Sequence, residues 1–207
     1  MTNSGERYGW AGTTPTYSQS YLQPAILDIL KSRCTSRVID LGCGNGVLAR
    51  LLSEQGFETV GCEPDADGFA IARASASKAT VLNVGVYDDP AKVGRRDFDA
   101  AVSTEVIEHL FDPAKLFSFA HEVLAPSGLL IVSTPYHGFL KNAALSLTNK
   151  WDFHFHPSRV GGHIKFWSRA TLSQMFVDHG FDLIEFRGAG RLPYLWKSMI
   201  VVGRKRS

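Results

Sequence analysis

The sequence is poor in cysteine: Cys34, Cys43 and Cys62 are its three thiols in 207 residues, and none forms a CxxC pair. So sparse and scattered a set neither staples a small secreted fold nor makes a metal knuckle, and it fits a reducing compartment. Long apolar runs are also missing. No stretch approaches the roughly 18 apolar residues of a membrane span, and the opening MTNSGERYGW has neither the basic start nor the apolar run of a secretory signal. The expected location is the cytoplasm. Charge of one sign is lacking too, with 22 Lys+Arg against 20 Asp+Glu and a net charge of +2. That argues against a nucleic acid as partner, which calls for a basic surface. The basic end Arg204, Lys205, Arg206 is too short to alter the balance. With no repeat and no linker-like tract, residues 1–207 read as one domain. Its polar N-terminal arm and first helix take up residues 1–35, with residues 1–20 loosely held.

What is present is alternation. A helix is predicted over Tyr21 to Lys31, with Pro24 in its first turn, where a missing N–H costs little. From Val38 onward, short apolar strands alternate with helical spacing. The strands are expected at 38–41, 59–62, 79–84, 98–102 and 129–132; the helices at 47–55, 69–77, 113–124 and 169–179. Such alternation implies βαβ units, an α/β fold with a mostly parallel Rossmann-like sheet and helices on both faces. The closing runs 181–186 and 195–202 are near enough to pair as an antiparallel hairpin. Between the fifth strand and the last helix lies a long connection, 135–167, holding Tyr136, Phe139, Trp151, Phe153, Phe155, Phe166 and Trp167. Disordered segments are poor in aromatics, so this one reads as a folded cap.

The sharpest local signal is Val38-Ile39-Asp40-Leu41-Gly42-Cys43-Gly44-Asn45-Gly46, an apolar strand running into a Gly-rich turn and a helix. Glycines there let the backbone approach a ligand and adopt positive φ, and the helix N-terminus offers free N–H groups. The spacing is GxGxG. The dinucleotide fingerprint wants its third glycine at Val47, so a pyrophosphate turn is disfavoured, and no GK[ST] follows to make a P-loop. Glu63 closes the second strand, where a carboxylate can accept the hydroxyls of a ribose; its bland alternative is a cap on the next helix, a role Asp65 can fill.

At these residues the chain resembles the class I S-adenosylmethionine-dependent methyltransferases. The resemblance rests on VIDLGCGNG, on GCEPD, on Asp97-Phe98-Asp99-Ala100 and on SGLLIVSTP, and it runs from Val38 to the C-terminus. It implies a single-domain, seven-stranded sheet with an antiparallel last strand. It also implies cofactor-binding roles for Gly42, Gly44 and Gly46 against methionine and ribose, Asp40 behind the loop, Glu63 on the ribose hydroxyls and Thr104 facing the cofactor. Many members carry an acidic residue after the third strand. This chain reads Asn83-Val84-Gly85-Val86-Tyr87-Asp88 there, leaving Val86 and Tyr87 as candidates for the adenine contact.

After the fourth strand comes Thr104-Glu105-Val106-Ile107-Glu108-His109. In a helical turn Glu105, Glu108 and His109 share a face, and paired carboxylates call for a proton or a cation between them. Oxygen and imidazole ligands suit Mg²⁺, Mn²⁺ or Zn²⁺, and His163 in Gly161-Gly162-His163-Ile164-Lys165-Phe166-Trp167-Ser168 can supply a fourth ligand from the cap. The pair EVIEH and GGHxKFWS is similar to two branches of the family. One is the ubiquinone-pathway O-methyltransferases; the other is the small-RNA 2′-O-methyltransferases, in which the matching residues hold a divalent metal. The resemblance therefore implies metal ligation by Glu105, Glu108, His109 and His163. Without a metal, His163 or His109 is the general base. His154 and His156 alternate with cap aromatics, and His137 follows the fifth strand near the expected site. His121 and His179 fall in predicted helices and read as structural.

The function expected from this is O-methylation of a small hydroxylated, phenolic or quinone-like acceptor, with S-adenosylmethionine as methyl donor. Three alternatives stay open: an RNA 2′-O-methyltransferase, which would want a basic groove; an NAD-dependent dehydrogenase, which fails at Val47; and a non-catalytic cofactor-binding regulator, which has no use for the charged cluster and the aromatic cap.

Overall fold

A computed structural model describes residues 9–10, 12–155 and 161–206, and for Phe153 the backbone alone. Its centre is a seven-stranded sheet in the order β3-β2-β1-β4-β5-β7-β6. The strands are β1 Arg37–Leu41, β2 Glu58–Cys62, β3 Thr80–Leu82, β4 Phe98–Thr104, β5 Leu124–Pro135, β6 Phe181–Ala189 and β7 Ser198–Lys205. The β1–β2, β1–β4, β2–β3 and β4–β5 pairs are parallel, whereas β7 runs antiparallel to both β5 and β6. The parallel sheet and its antiparallel final strand match the sequence expectation. The hairpin expected between the last two runs forms, with β7 inserted between β6 and β5.

The period of two along β1 sorts its residues onto opposite faces. Ile39 and Leu41 join Val60, Ala101, Leu130, Val132 and Val201 in one core, packed against Leu116, Phe117 and Ala120 of α4 (Ala114–Val123) and Leu172 and Phe176 of α7 (Arg169–Asp178). Val38 joins Ala100, Val102, Leu129, Ile131 and Ile200 in the other core. That side packs against Leu22, Ile26, Ile29 and Leu30 of α1 (Gln19–Ser32) and Leu48 and Leu52 of α2 (Val47–Glu54). Both faces are covered, as a parallel sheet requires. The remaining helices are α3 Ala66–Ser75 and, in the cap, α5 Phe139–Leu147 and α6 Asp152–Phe155.

Several boundaries differ from the sequence reading. The first helix starts at Gln19, with the Leu22 N–H bonded to the Ser18 carbonyl, so Pro24 sits inside it and not in its first turn. Pro24 and Ser20 are both exposed, which leaves the Ser20 carbonyl that Pro24 cannot bond open to water. Helix α3 begins at Ala66, three residues before the predicted Phe69, because Asp65 caps it by accepting the Gly68 N–H at 2.8 Å. The arm is docked where it is described: the Asn45 amide donates to the carbonyls of Gly12 at 2.9 Å and Thr14 at 3.1 Å, holding this segment on the Gly-rich turn. The loosely held arm of the sequence reading is therefore corrected for these residues.

Candidate active site

The C-terminal ends of β1, β2, β4 and β5 lie level, with Leu41 beside Cys62 and Thr104 beside Ser133. In a doubly wound sheet, ligands bind at this edge. The Gly42 and Cys43 N–H groups both bond the Cys62 carbonyl, at 2.8 and 3.0 Å, so the turn grows directly out of the β1–β2 ladder. Gly46 then caps α2 with φ +76°. A methyl group added to it would sit 2.9 Å from the Ala72 Cα, so the position needs glycine both for its backbone and for its neighbour.

Glu63 is 6% exposed, and each of its carboxylate oxygens accepts one backbone N–H. One carboxylate oxygen accepts the Gly44 N–H at 2.7 Å, the other the Asp65 N–H at 2.8 Å. Burial raises its pKa and these two bonds oppose the rise. Asn83 ties the end of β3 to this point, its amide donating to the Glu63 carbonyl at 2.9 Å. Asp40 lies under the turn, 1% exposed, and neither carboxylate oxygen has a hydrogen-bond partner among the described residues; burial, with Glu63 nearby, pushes its pKa up to about 7. Burial also raises the Cys43 and Cys62 thiols, Cys62 to about 12, so neither is a thiolate nucleophile. Val86 is buried in the core, and the Tyr87 hydroxyl accepts the Asp112 N–H at 3.0 Å. Thr104 is half-buried at the end of β4.

The stretch after β4 is not one helical turn. Glu105 takes φ +54°, its N–H bonds the Ser133 carbonyl at 3.1 Å, and a short 3₁₀ turn follows over Ile107–His109. The pull of the neighbouring strand wins over local helix formation at Glu105, which corrects the shared-face expectation. The Glu105 carboxylate accepts from Ser133 Oγ at 3.0 Å and Ser198 Oγ at 3.1 Å, and Ser198 meets the Tyr21 hydroxyl at 3.0 Å. Removal of this carboxylate from water pushes its pKa up to about 7.

Glu108, His109 and His163 do come together: among the described residues they form a group whose ligand atoms all lie within 4.8 Å of one another. Glu105 stands outside it. The returning segment of the cap is hung on this turn, with the Ile164 and Lys165 N–H groups both bonding the Glu108 carbonyl, at 3.0 and 3.1 Å. That places the His163 ring 5.0 Å from the His109 ring. Glu108 Oε2 accepts from Thr134 Oγ1 at 2.9 Å, while its Oε1 is buried without a hydrogen-bond partner among the described residues. His109 Nδ1 lies 3.1 Å from the Gly162 carbonyl, which can only accept, so Nδ1 carries the proton there. Its Nε2 lies 3.9 Å from Glu108 Oε1. A carboxylate and two imidazoles gathered this closely are ligand types that a divalent cation takes. The donor set thus fits a small divalent cation.

The cap folds over this edge. A pocket of about 450 Å³ is lined by His137, Asn142, Trp151, Phe155 and Phe166, a size suited to a small ligand. His137 meets the Phe166 ring edge-on at 4.5 Å and lies 3.2 Å from Asn142 Oδ1 through Nδ1. Burial, helped by the positive charge of Lys141, depresses its pKa to about 4, so it is neutral at pH 7. His154 packs against His137 at 5.3 Å; His156 lies outside the described residues. His121 and His179 sit away from the site, against Phe181 and Phe117. Sequence reasoning missed Asn45, Thr134, Ser133 and Ser198. The polar Ser133 and Thr134 at the end of the apolar run of β5 were a readable signal.

A Gly-rich turn at the carboxyl edge, an acidic residue closing β2 and a sheet ending in an antiparallel strand define a Rossmann-like methyltransferase. The chain belongs to the methyltransferase domain family, whose model matches residues 16–185. It is 30% identical over 156 residues to a ubiquinone biosynthesis O-methyltransferase of Azorhizobium caulinodans, covering 73% of this chain and 61% of that protein. The chain thus spans about three fifths of that relative's length. Magnesium protoporphyrin IX methyltransferase from Synechocystis PCC 6803, solved with bound S-adenosylhomocysteine, shares the fold with a TM-score of 0.69 at 16% identity, over 96% of this chain and 90% of that one. A SAM-dependent methyltransferase from Methanosarcina mazei does so with a TM-score of 0.66 at 19% identity, over 88% and 97%. S-adenosylmethionine is the methyl donor that this membership implies. Among the described residues, no helix is long and apolar enough to cross a membrane.

Proposed function

We propose that this chain transfers a methyl group from S-adenosylmethionine to an oxygen of a small hydroxylated aromatic acceptor of phenolic or quinone-like type. The observation that carries the reading is the aromatic pocket of His137, Trp151, Phe155 and Phe166 on the same cap that brings His163 to Glu108 and His109. An apolar, flat-walled pocket beside a cluster of charged and imidazole groups suits a ring that bears hydroxyls. The curated relatives named for ubiquinone biosynthesis support the same acceptor class.

S-adenosylmethionine, when bound, supplies an activated methyl group. The protein must hold and align the partners, which is catalysis by proximity. Glu63 and the Gly42–Gly46 turn would hold the nucleoside and methionine, with Asp40 behind them. Val86 and Tyr87 would border the adenine and Thr104 would face the cofactor. The cap aromatics would orient the acceptor ring and exclude water. A phenolic hydroxyl has a pKa of about 10 and must lose its proton as its oxygen bonds to carbon. Glu108, His109 and His163 would hold a divalent cation, Mg²⁺, Mn²⁺ or Zn²⁺, which when bound lowers the pKa of a hydroxyl it contacts. Glu105, anchored to Ser133 and Ser198, would hold the turn in place behind them.

The test is transfer of labelled methyl from S-adenosylmethionine to a catechol, before and after dialysis against a chelator and after return of each cation. The expected result is a methyl ether, lost on chelation and restored by one of the cations. Turnover that survives thorough chelation would remove the cation and make His109 or His163 the base. Methylation of RNA 3′ ends with none of catechols would overturn the acceptor class.

A further inference from the structure

The Trp10 indole is packed onto the Gly-rich turn. A methyl group added to Gly44 would run into its six-membered ring, and one added to Gly68, in the first turn of α3, would meet its Cδ1 at 2.8 Å. The same point on Gly68 lies 3.2 Å from Glu63 Cγ. Indole, Gly44, Glu63 and Gly68 therefore make one continuous surface at the carboxyl ends of β1 and β2. The ring is only half-buried, and the Asn45 amide of the same turn holds the carbonyls of Gly12 and Thr14, two and four residues further along the arm. Side chains larger than hydrogen at 44 or 68 would occupy the ring's space.

We propose that Trp10 is a cofactor-binding residue: its indole forms the wall of the nucleoside site beside Glu63, and the strap that carries it is part of that site. The inference rests on the reading that the turn and Glu63 bind S-adenosylmethionine. A flat aromatic face next to a carboxylate matches a nucleoside, whose base stacks while its ribose hydroxyls donate. Asn45 links the two halves, because the residue that pins the strap lies within the turn that meets the cofactor. Ordering of the strap and filling of the site are thereby tied together.

The test is calorimetric titration of the full chain with S-adenosylhomocysteine and with adenosine, for the wild type, Trp10→Ala and Trp10→Phe. Loss of a stacking partner should weaken both ligands about tenfold or more in Trp10→Ala, and Trp10→Phe should recover most of the loss. Gly68→Ala should weaken binding in the wild type and add little in Trp10→Ala, since its methyl acts by displacing the ring. Equal binding by Trp10→Ala overturns the proposal. So does tighter binding, which would mean that the ring competes for the site. Trp10→Phe that is folded, by its melting curve, yet binds as weakly as Trp10→Ala also overturns it. A wild type that binds neither ligand contradicts the underlying cofactor reading instead.

Discussion

Glu63 accepts the backbone N–H of Gly44 at 2.7 Å, across 19 residues of sequence. The acidic residue that closes β2 is thus a strut for the Gly-rich turn as well as a candidate ligand for ribose. Replacing Glu63 with Ala should weaken S-adenosylhomocysteine binding by up to about 3 kcal/mol, the scale of lost hydrogen bonds to a charged group. It should also lower the melting temperature of the empty protein, since the Gly44 and Asp65 N–H groups lose their partner. Glu63→Gln, which keeps an acceptor, should recover more of the stability than of the affinity. Calorimetry and thermal melting read the two effects separately.

Asp40 should make the empty protein less stable as pH rises. Its pKa is pushed from the ordinary 3.8 up to about 7, so between those values the folded chain holds a proton that the unfolded chain has lost. The penalty is absent below the lower value, grows as pH rises, and is complete above the upper one. A change of that size is worth at most about 4 kcal/mol. Asp40→Asn should therefore show a flatter fall in stability than the wild type between those pH values, with its relative gain largest at the alkaline end. Glu105 and Glu108, also raised by burial, contribute to the slope in both proteins, so the difference between the two curves is the quantity to measure by urea unfolding.

Gly46→Ala should destabilise the fold by about 2–4 kcal/mol, combining the left-handed backbone penalty with overpacking. The added methyl would lie 2.8 Å from the Ala72 Cβ and 2.9 Å from its Cα, and that backbone cannot swing aside. Gly56→Ala, also at positive φ but with no atom within 4 Å of the added methyl, should cost only the backbone part. Denaturant midpoints for the two variants separate strain from collision.

The sheet was legible because apolar runs alternate with helical spacing, and the Gly turn was legible because its glycines and Glu63 sit where any α/β sheet would put a ligand. What stayed hidden depended on partners distant in sequence. Glu105 looks helical in Thr104-Glu105-Val106-Ile107-Glu108-His109, yet its N–H is drawn to Ser133 on the next strand and its carboxylate to Ser198 on β7. The arm offered only composition to a reader of the sequence, whereas Gly12 and Thr14 within it are held by carbonyls that accept from Asn45. His163 was legible as a metal candidate from its glycine-flanked motif, but its approach to His109 depends on two cap N–H groups bonding the Glu108 carbonyl.

Phe155→Ala should raise KM for the acceptor at least severalfold while leaving S-adenosylhomocysteine affinity unchanged. Phe155 packs on Phe166 with ring centroids 3.8 Å apart and lines the cap pocket, whose lining includes no residue of the Gly-rich turn proposed to bind the cofactor. Steady-state kinetics with varied catechol, alongside calorimetry, would show the separation; an equal loss of cofactor affinity would mean that the cap pocket belongs to the cofactor.

Titration of the purified chain with S-adenosylhomocysteine against NADH tests the choice of cofactor at the Gly-rich turn. The Gly-rich turn lacks the third glycine of a dinucleotide fingerprint and has Val47 in its place, at the start of α2. The expected result is one site per chain for S-adenosylhomocysteine and no measurable heat with NADH. Binding of NADH in preference to S-adenosylhomocysteine would overturn the cofactor assignment.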